Sequence, residues 1–181
     1  RRWFMVMLRS AGELLLVAAI VFGLGWAGTR LAQALHSRPL HPDAVGAIHL
    51  AMRDADWQGD TTCVEVGSYD AALRCRGSWL VQWLVAIEEF GRYDINVSLA
   101  CTDPRPNDEL IVTIAEHTLR GRVPQTESWT RWKKPALGFV DLEPGIYRLA
   151  IRPASPSEQR DIVVKSATIT RNTPSTSTAE R

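Results

Sequence analysis

The chain has 181 residues, 45% of them hydrophobic and 23% charged, which fits one ordinary domain plus a short extra segment. Lys and Arg (21) nearly balance Asp and Glu (20) for a formal net charge of +1, which excludes the clustered basic footprint of a nucleic-acid binder. The four histidines, His36, His41, His49 and His117, lack the spacing of a zinc site, and neither a metal nor another cofactor is expected.

The chain opens on "RRWFMVMLR", and residues 1–10 suit a segment lying along a membrane surface. Leu14 to Gly28 carries no charge. Extended over residues 11–35 the apolar stretch reaches the ~20 residues that a bilayer-spanning helix needs, with Glu13 and Arg30 reaching the two interfaces. Trp3 and Trp26 fit interfacial aromatic belts. Arg1, Arg2 and Arg9 before the span, against Arg30 and Arg38 after it, put the N-terminus in the cytoplasm. A cleaved signal peptide is the competing reading, since a basic start, an apolar centre and Ala32-Gln33-Ala34 supply its parts. Arg30 interrupts the approach to that cleavage site and favours the anchor. Either way the following domain is exported, and the expected location is a bacterial inner membrane, single-pass, with the domain in the periplasm.

Residues 36–44, "HSRPLHPDA", read as an extended spacer. Residues 45–171 show no sustained helical period. They break into short apolar runs, among them "AIHLAM", "TCVEVGSY", "SWLVQWLVAI", "RYDINVSLAC", "DELIVTIAE", "HTLRGRV", "IYRLAIRP" and "DIVVKSATIT". Gly59-Asp60, Gly77, Gly91, "TDPRPND", Gly121, "EPG" and "PASPS" punctuate them as turns. Many short strands separated by turn signals indicate a β-sandwich or barrel. Tyr93, Ile95, Val97 and Leu99 alternate cleanly with polar residues and are expected to face the core. "SWLVQWLVAI" is apolar on both faces, as in a central strand covered on each side. Residues 172–181 carry nothing large and apolar to bury and read as a disordered tail.

Of the three cysteines, Cys63 and Cys75 flank a short loop and a bridge between them is open, while Cys101 is in phase with a core face. Trp79 and Trp83, four apart, share one face of a strand and are expected in the core. Trp129 and Trp132, three apart, fall on opposite faces if their segment is a strand, so one is expected buried and one exposed. Arg131, Lys133 and Lys134 beside them can supply hydrogen-bond donors to a ligand. Trp57, in the polar surround "RDADWQGD", is a further contact candidate.

The stretches "ADWQG", "SWLVQWLVAIEEFGRYDINVSLA" and "LRGRVPQTESWTRWKKPALGFVDLEPGIYRLAIRP" together resemble galactose-binding-like jelly-roll modules of the carbohydrate-binding-module type, as appended to bacterial sulfatases and glycosidases. The matching elements run in order: Trp79 and Trp83, Gly91 and Tyr93, Thr126 and Trp129, Leu137-Gly138, then Leu142 and Gly145. They span residues 48–169. The resemblance implies a mainly β jelly-roll sandwich and, in sugar-binding members, a glycan ligand. Two departures bear on function. The Asn-containing motif before the final strand is replaced by "SEQRDIVVKSA", and "IHLAMRDAD" offers Asp54 and Asp56 without the paired glutamates of a structural calcium site.

No Gly-rich phosphate loop and no Gly-x-Ser-x-Gly elbow is present, and adjacent Glu88 and Glu89 cannot flank one bond from a strand. The expected role is therefore non-catalytic: a membrane-anchored interaction module, the accessory or structural subunit of a larger respiratory or photosynthetic membrane complex. Its partners would be membrane lipids and other membrane-protein subunits, with no nucleic acid. The alternative is an extracytoplasmic carbohydrate-binding protein, with a glycan as the partner.

Overall fold

The computed structural model describes residues 38–66, 70–155 and 157–172. The expected surface segment and transmembrane helix, with Trp3, Trp26 and Arg30, lie outside the described residues, as does nearly all of the expected tail. Among the described residues no helix is long and apolar enough to cross a membrane. The chain divides after Arg38, and the unit from Pro39 onward holds every element described below.

Among the described residues nine strands follow in order: β1 (Ala47–Ala51), β2 (Asp56–Val66), β3 (Asp70–Ile87), β4 (Gly91–Ala100), β5 (Glu109–Ile114), β6 (His117–Arg122), β7 (Phe139–Leu142), β8 (Gly145–Pro153) and β9 (Ser157–Arg171). All pair antiparallel, in the order β6-β5-β8-β3-β9-β4-β7, with β2 beside β3 and β1 beside β9. The two long strands change partners midway. In β3, Leu73 to Gly77 pairs with the first half of β9, whereas Val81 to Ile87 pairs with β8. In β9, the half beyond Ser166 pairs with β1 instead. One continuous sheet thus folds over into two facing layers.

Bulges allow the fold-over. Register shifts between Gly59 and Thr61 in β2, between Cys75 and Gly77 in β3, and between Ser98 and Leu99 in β4. Such irregularities bend a strand and raise its twist. Gly59 sits at φ 94°, and a Cβ there would meet the Ser78 carbonyl oxygen at 2.2 Å, so no other residue fits. Gly59 and Gly77, expected to mark turns, are therefore bends inside longer strands.

The core lies between the layers. Tyr93, Ile95, Val97 and Leu99 face it as their alternation predicts, and so do Trp79 and Trp83. Trp83, 2% exposed on β3, donates from Nε1 to the Ala51 carbonyl at 2.9 Å and so ties the two layers together. The strand holding it is central, but its outer face at Leu80 and Leu84 stays half-exposed rather than covered.

The expected spacer is not free. Leu40 forms a short parallel bridge to Val85, donating to the Leu84 carbonyl at 2.9 Å and accepting from Ala86 at 2.9 Å. Asp43 accepts from the Val45 and Ala47 amides at 2.9 Å each, and those two bonds hold its carboxyl below the ordinary range. The sandwich is thus anchored from Pro39, ahead of the boundary expected at residue 45.

The Cys63–Cys75 bridge is absent, and both thiols are free. Register sets Cys63 opposite Leu73 and Cys75 opposite Thr61, so the two are diagonal neighbours rather than a facing pair. Burial pushes the Cys75 thiol far above its ordinary value.

Two outcomes follow from this packing. Trp83→Ala is expected to cost about 3–5 kcal/mol in urea unfolding, and a loss below about 1 kcal/mol would show that the tie between layers is not central. With a thiol reagent, native protein should titrate one fast group, exposed Cys63, while Cys75 and Cys101 react only after unfolding.

Candidate functional site

The sheet has a second, smaller apolar cluster on the outer side of its bend. Ala72, Ala100 and Val163, all buried, form its floor, and Val64, Trp129 and Trp132 pack onto it. The floor is an alternation effect. Leu73, Cys75, Leu99 and Val164 point into the main core, so their neighbours Ala72, Ala100 and Val163 point the other way. Their side chains are small and leave a shallow seat that only a loop bearing large rings can fill.

That loop is clasped at both ends to the end of β4. Thr126, 2% exposed, donates its amide to the Cys101 carbonyl at 2.8 Å, and its Oγ1 accepts from the Cys101 amide at 3.0 Å. Seven residues on, Lys133 exchanges two backbone bonds with Leu99, at 2.9 and 3.0 Å. Between the clasps the chain turns tightly. The Thr126 hydroxyl donates to the Ser128 carbonyl at 3.0 Å, the Arg131 amide reaches that same carbonyl at 3.3 Å, and the Ser128 and Thr130 hydroxyls bond at 3.1 Å.

This turn overturns one expectation. Residues 127–132 form no strand, so the three-residue offset does not send Trp129 and Trp132 to opposite faces. Both rings lie on the same outer face, each half-buried.

Cations flank both rings. The Arg74 guanidinium lies 5.9 Å from the Trp129 centroid, and the Lys165 ammonium 5.7 Å from that of Trp132. Both distances sit near the limit of about 6 Å for an energetically useful cation–π contact. Asp161 organises the arginines, with Arg76 Nε at 2.8 Å and Arg74 Nε at 3.9 Å from its carboxylate. The Asp161 hydrogen bond raises the pKa of Arg76 above its ordinary value.

The other candidates scatter. Arg131 is exposed and pairs loosely with Glu127 at 3.7 Å. Lys133 contributes its backbone to the clasp and leaves its side chain in solvent, next to exposed Lys134. Trp57 stands apart on edge strand β2 opposite Val81, 40% exposed. Arg74, Arg76, Asp161 and Lys165 were not singled out by the sequence. The alternation of "LRCRG" marks Arg74 and Arg76 as outward, but only the β3–β9 pairing brings them to the loop.

A separate cleft of about 370 Å³ opens between residues 42–46 and the turn after β3, floored by Ile48, Ile87 and Tyr93. Its polar rim is already engaged. Arg171 pairs with the Glu89 carboxylate and bonds the Phe90 carbonyl, His41 faces Glu88 at 3.1 Å, and His49 faces Asp43 at 3.1 Å. Burial raises the pKa of Tyr93 despite nearby Arg171, and its hydroxyl donates to the Glu89 carbonyl at 2.7 Å. Among the described residues no three His, Cys, Asp or Glu side chains are placed to share a metal ion.

Two partly exposed indoles packed on one apolar floor, with cations beside them, can stack the C–H face of a flat ligand and offer ionic hydrogen bonds at its rim. No family model and no curated protein matches the chain. Solved structures do match in fold. A family 35 carbohydrate-binding module from Clostridium thermocellum superposes with a TM-score of 0.57 at 14% identity, over 70% of this chain and 98% of that one. A carbohydrate-binding module of a Cellvibrio mixtus lichenase, solved with cellotriose, gives 0.55 at 14% identity, over 71% and 98%. The mosquito-larvicidal Cry4Aa toxin of Bacillus thuringiensis gives 0.59 at 10% identity, over 75% of this chain but only 25% of the toxin. The architecture common to the carbohydrate-binding modules and this chain is the jelly-roll β-sandwich.

Proposed function

We propose that the domain is a non-catalytic carbohydrate-binding module whose ligand lies across Trp129 and Trp132 on the outer face of the sheet bend. The observation that carries this reading is the pairing of the two rings on one face by a loop clasped at Thr126 and Lys133. The likeness to complete carbohydrate-binding modules supports it over the accessory-subunit role expected from the sequence. The missing Asn before β9 leaves hydrogen bonding to Arg74, Arg76 and the lysines, so the mode of recognition differs from that of the sugar-binding members it resembles.

We also propose that residues 11–35 tether this module to a bacterial membrane with the sandwich on the periplasmic side. Support comes from the length and apolarity of that segment alone. After alkaline carbonate washing of membranes from expressing cells, the full chain should stay in the pellet, and release into the wash would remove the tether.

Binding is tested by titrating the full chain with soluble polysaccharides. Losing one indole face, on the order of 60 Å² of apolar contact at about 25 cal/mol/Å², weakens binding by ~1.5 kcal/mol, about tenfold in Kd. Trp129→Ala should show that loss, Trp129→Phe should keep most of the affinity, and Trp57→Ala should leave it unchanged. Absence of saturable binding to every polysaccharide tried would end the glycan reading.

A further inference from the structure

Around the paired indoles the charge is far from that of the chain as a whole. Arg74, Arg76, Arg131, Lys133, Lys134 and Lys165 stand on β3, β9 and the loop itself. Against them, among the described residues, stand Asp161, Glu127 and, at longer range from Arg76, Asp60. Among the described residues these six cations thus outnumber the three acids set against them. Lys133 and Lys134 follow Trp132 directly, are exposed, and have no ion pair among the described residues.

A neutral sugar would gain little from this arrangement. Its hydroxyls take hydrogen bonds from any polar group and gain nothing particular from cationic ones. An anionic group set on a sugar ring gains first from the cations nearest the indoles, Arg74 beside Trp129 and Lys165 beside Trp132. A carboxylate or sulfate at the ring edge meets guanidinium and ammonium donors, and a charge-assisted bond is about twice as strong as a neutral one. Arginine adds a planar fork suited to two-point contact with either oxyanion.

We infer that the ligand of this face is an acidic polysaccharide, carrying carboxylate or sulfate on its sugar rings, with the indoles stacking the ring and the arginines and lysines holding the anion. The inference rests on the carbohydrate reading above and names its substrate class. Ring and anion are recognised together, so neither a neutral glycan nor a polyanion without sugar rings of that type satisfies the face.

The test titrates the full chain in detergent with polygalacturonate, a sulfated carrageenan, a neutral β-glucan and duplex DNA. At about 50 mM salt an acidic polysaccharide should bind at least about tenfold tighter than the β-glucan, and the gap should close as salt rises to about 500 mM. The uronate and sulfate polymers separate the two sources of negative charge. The double variant Lys133→Gln/Lys134→Gln should lose several-fold affinity for the acidic polymer with an unchanged melting temperature. Trp129→Ala should lose binding to it too. Equal, salt-insensitive binding of the β-glucan would overturn the charge inference while leaving the carbohydrate reading intact. DNA binding as tight as the acidic glycan, or acidic binding that survives Trp129→Ala, would overturn the inference as mere polyelectrolyte adsorption. Silence toward all four polymers would overturn both readings.

Discussion

Two strands have to serve both layers at once, and most of the molecule follows from that requirement. β3 and β9 are long enough to cross from one layer to the other, but an extended ribbon cannot turn sharply without breaking its ladder. The register shifts beside Gly59 and Gly77 supply the turn. Gly59 permits a backbone approach that any Cβ would block. With the bend in place, one face of each strand feeds the main core, and Trp83 reaches across to Ala51 to hold the layers at their spacing. The other face is left turned outward exactly where four strand segments converge.

That outward face creates a problem of its own. Ala72, Ala100 and Val163 are apolar and would meet water if nothing covered them. The loop after β6 solves this with two indoles, and the clasp at Thr126 and Lys133 keeps them there. Their outer surfaces remain half-open, which in a solvated protein is a liability unless something shields or uses it. Arg74 and Lys165 shield it in part, at distances where the attraction to the rings is weak. The patch is therefore stable without a ligand and easily rearranged by one.

What the sequence revealed depended on how local the cause was. The alternation from Tyr93 to Leu99 fixes which way each side chain points, because period two is a property of a single strand. The four-residue spacing of Trp79 and Trp83 works for the same reason, and the Pro-Gly pair before Tyr147 marks a true turn. Gly59 and Gly77 misled, since a glycine looks alike in a turn and in a bulge until its partner strand is known. The offset of Trp129 and Trp132 misled because it presumes a strand, whereas Ser128 and Thr130 hold a tight turn by side-chain bonds. Arg131, Lys133 and Lys134 were legible beside the tryptophans, but Arg74 and Lys165 were not, because they are ninety-one positions apart in sequence and reach one face only through the β3–β9 pairing.

The choice between the indole face and the cleft beside Tyr93 turns on which groups remain available. The cleft has its polar rim engaged in internal pairs, Arg171 with Glu89, His41 with Glu88 and His49 with Asp43. A ligand entering there would have to break those contacts and replace each bond it broke. On the indole face Arg74 and Arg76 share Asp161 and Arg131 pairs with Glu127, but Lys133 and Lys134 carry no ion pair among the described residues. An uncharged ring stacking on Trp129 must push Arg74 aside and forfeit its contact with the indole. An anion on that ring instead draws the guanidinium toward itself, keeps it paired and frees the indole for stacking. A sandwich of this kind carries many functions, so the fold cannot decide among them. The order in which cation, ring and ligand displace one another can, and it favours a partner that brings its own negative charge.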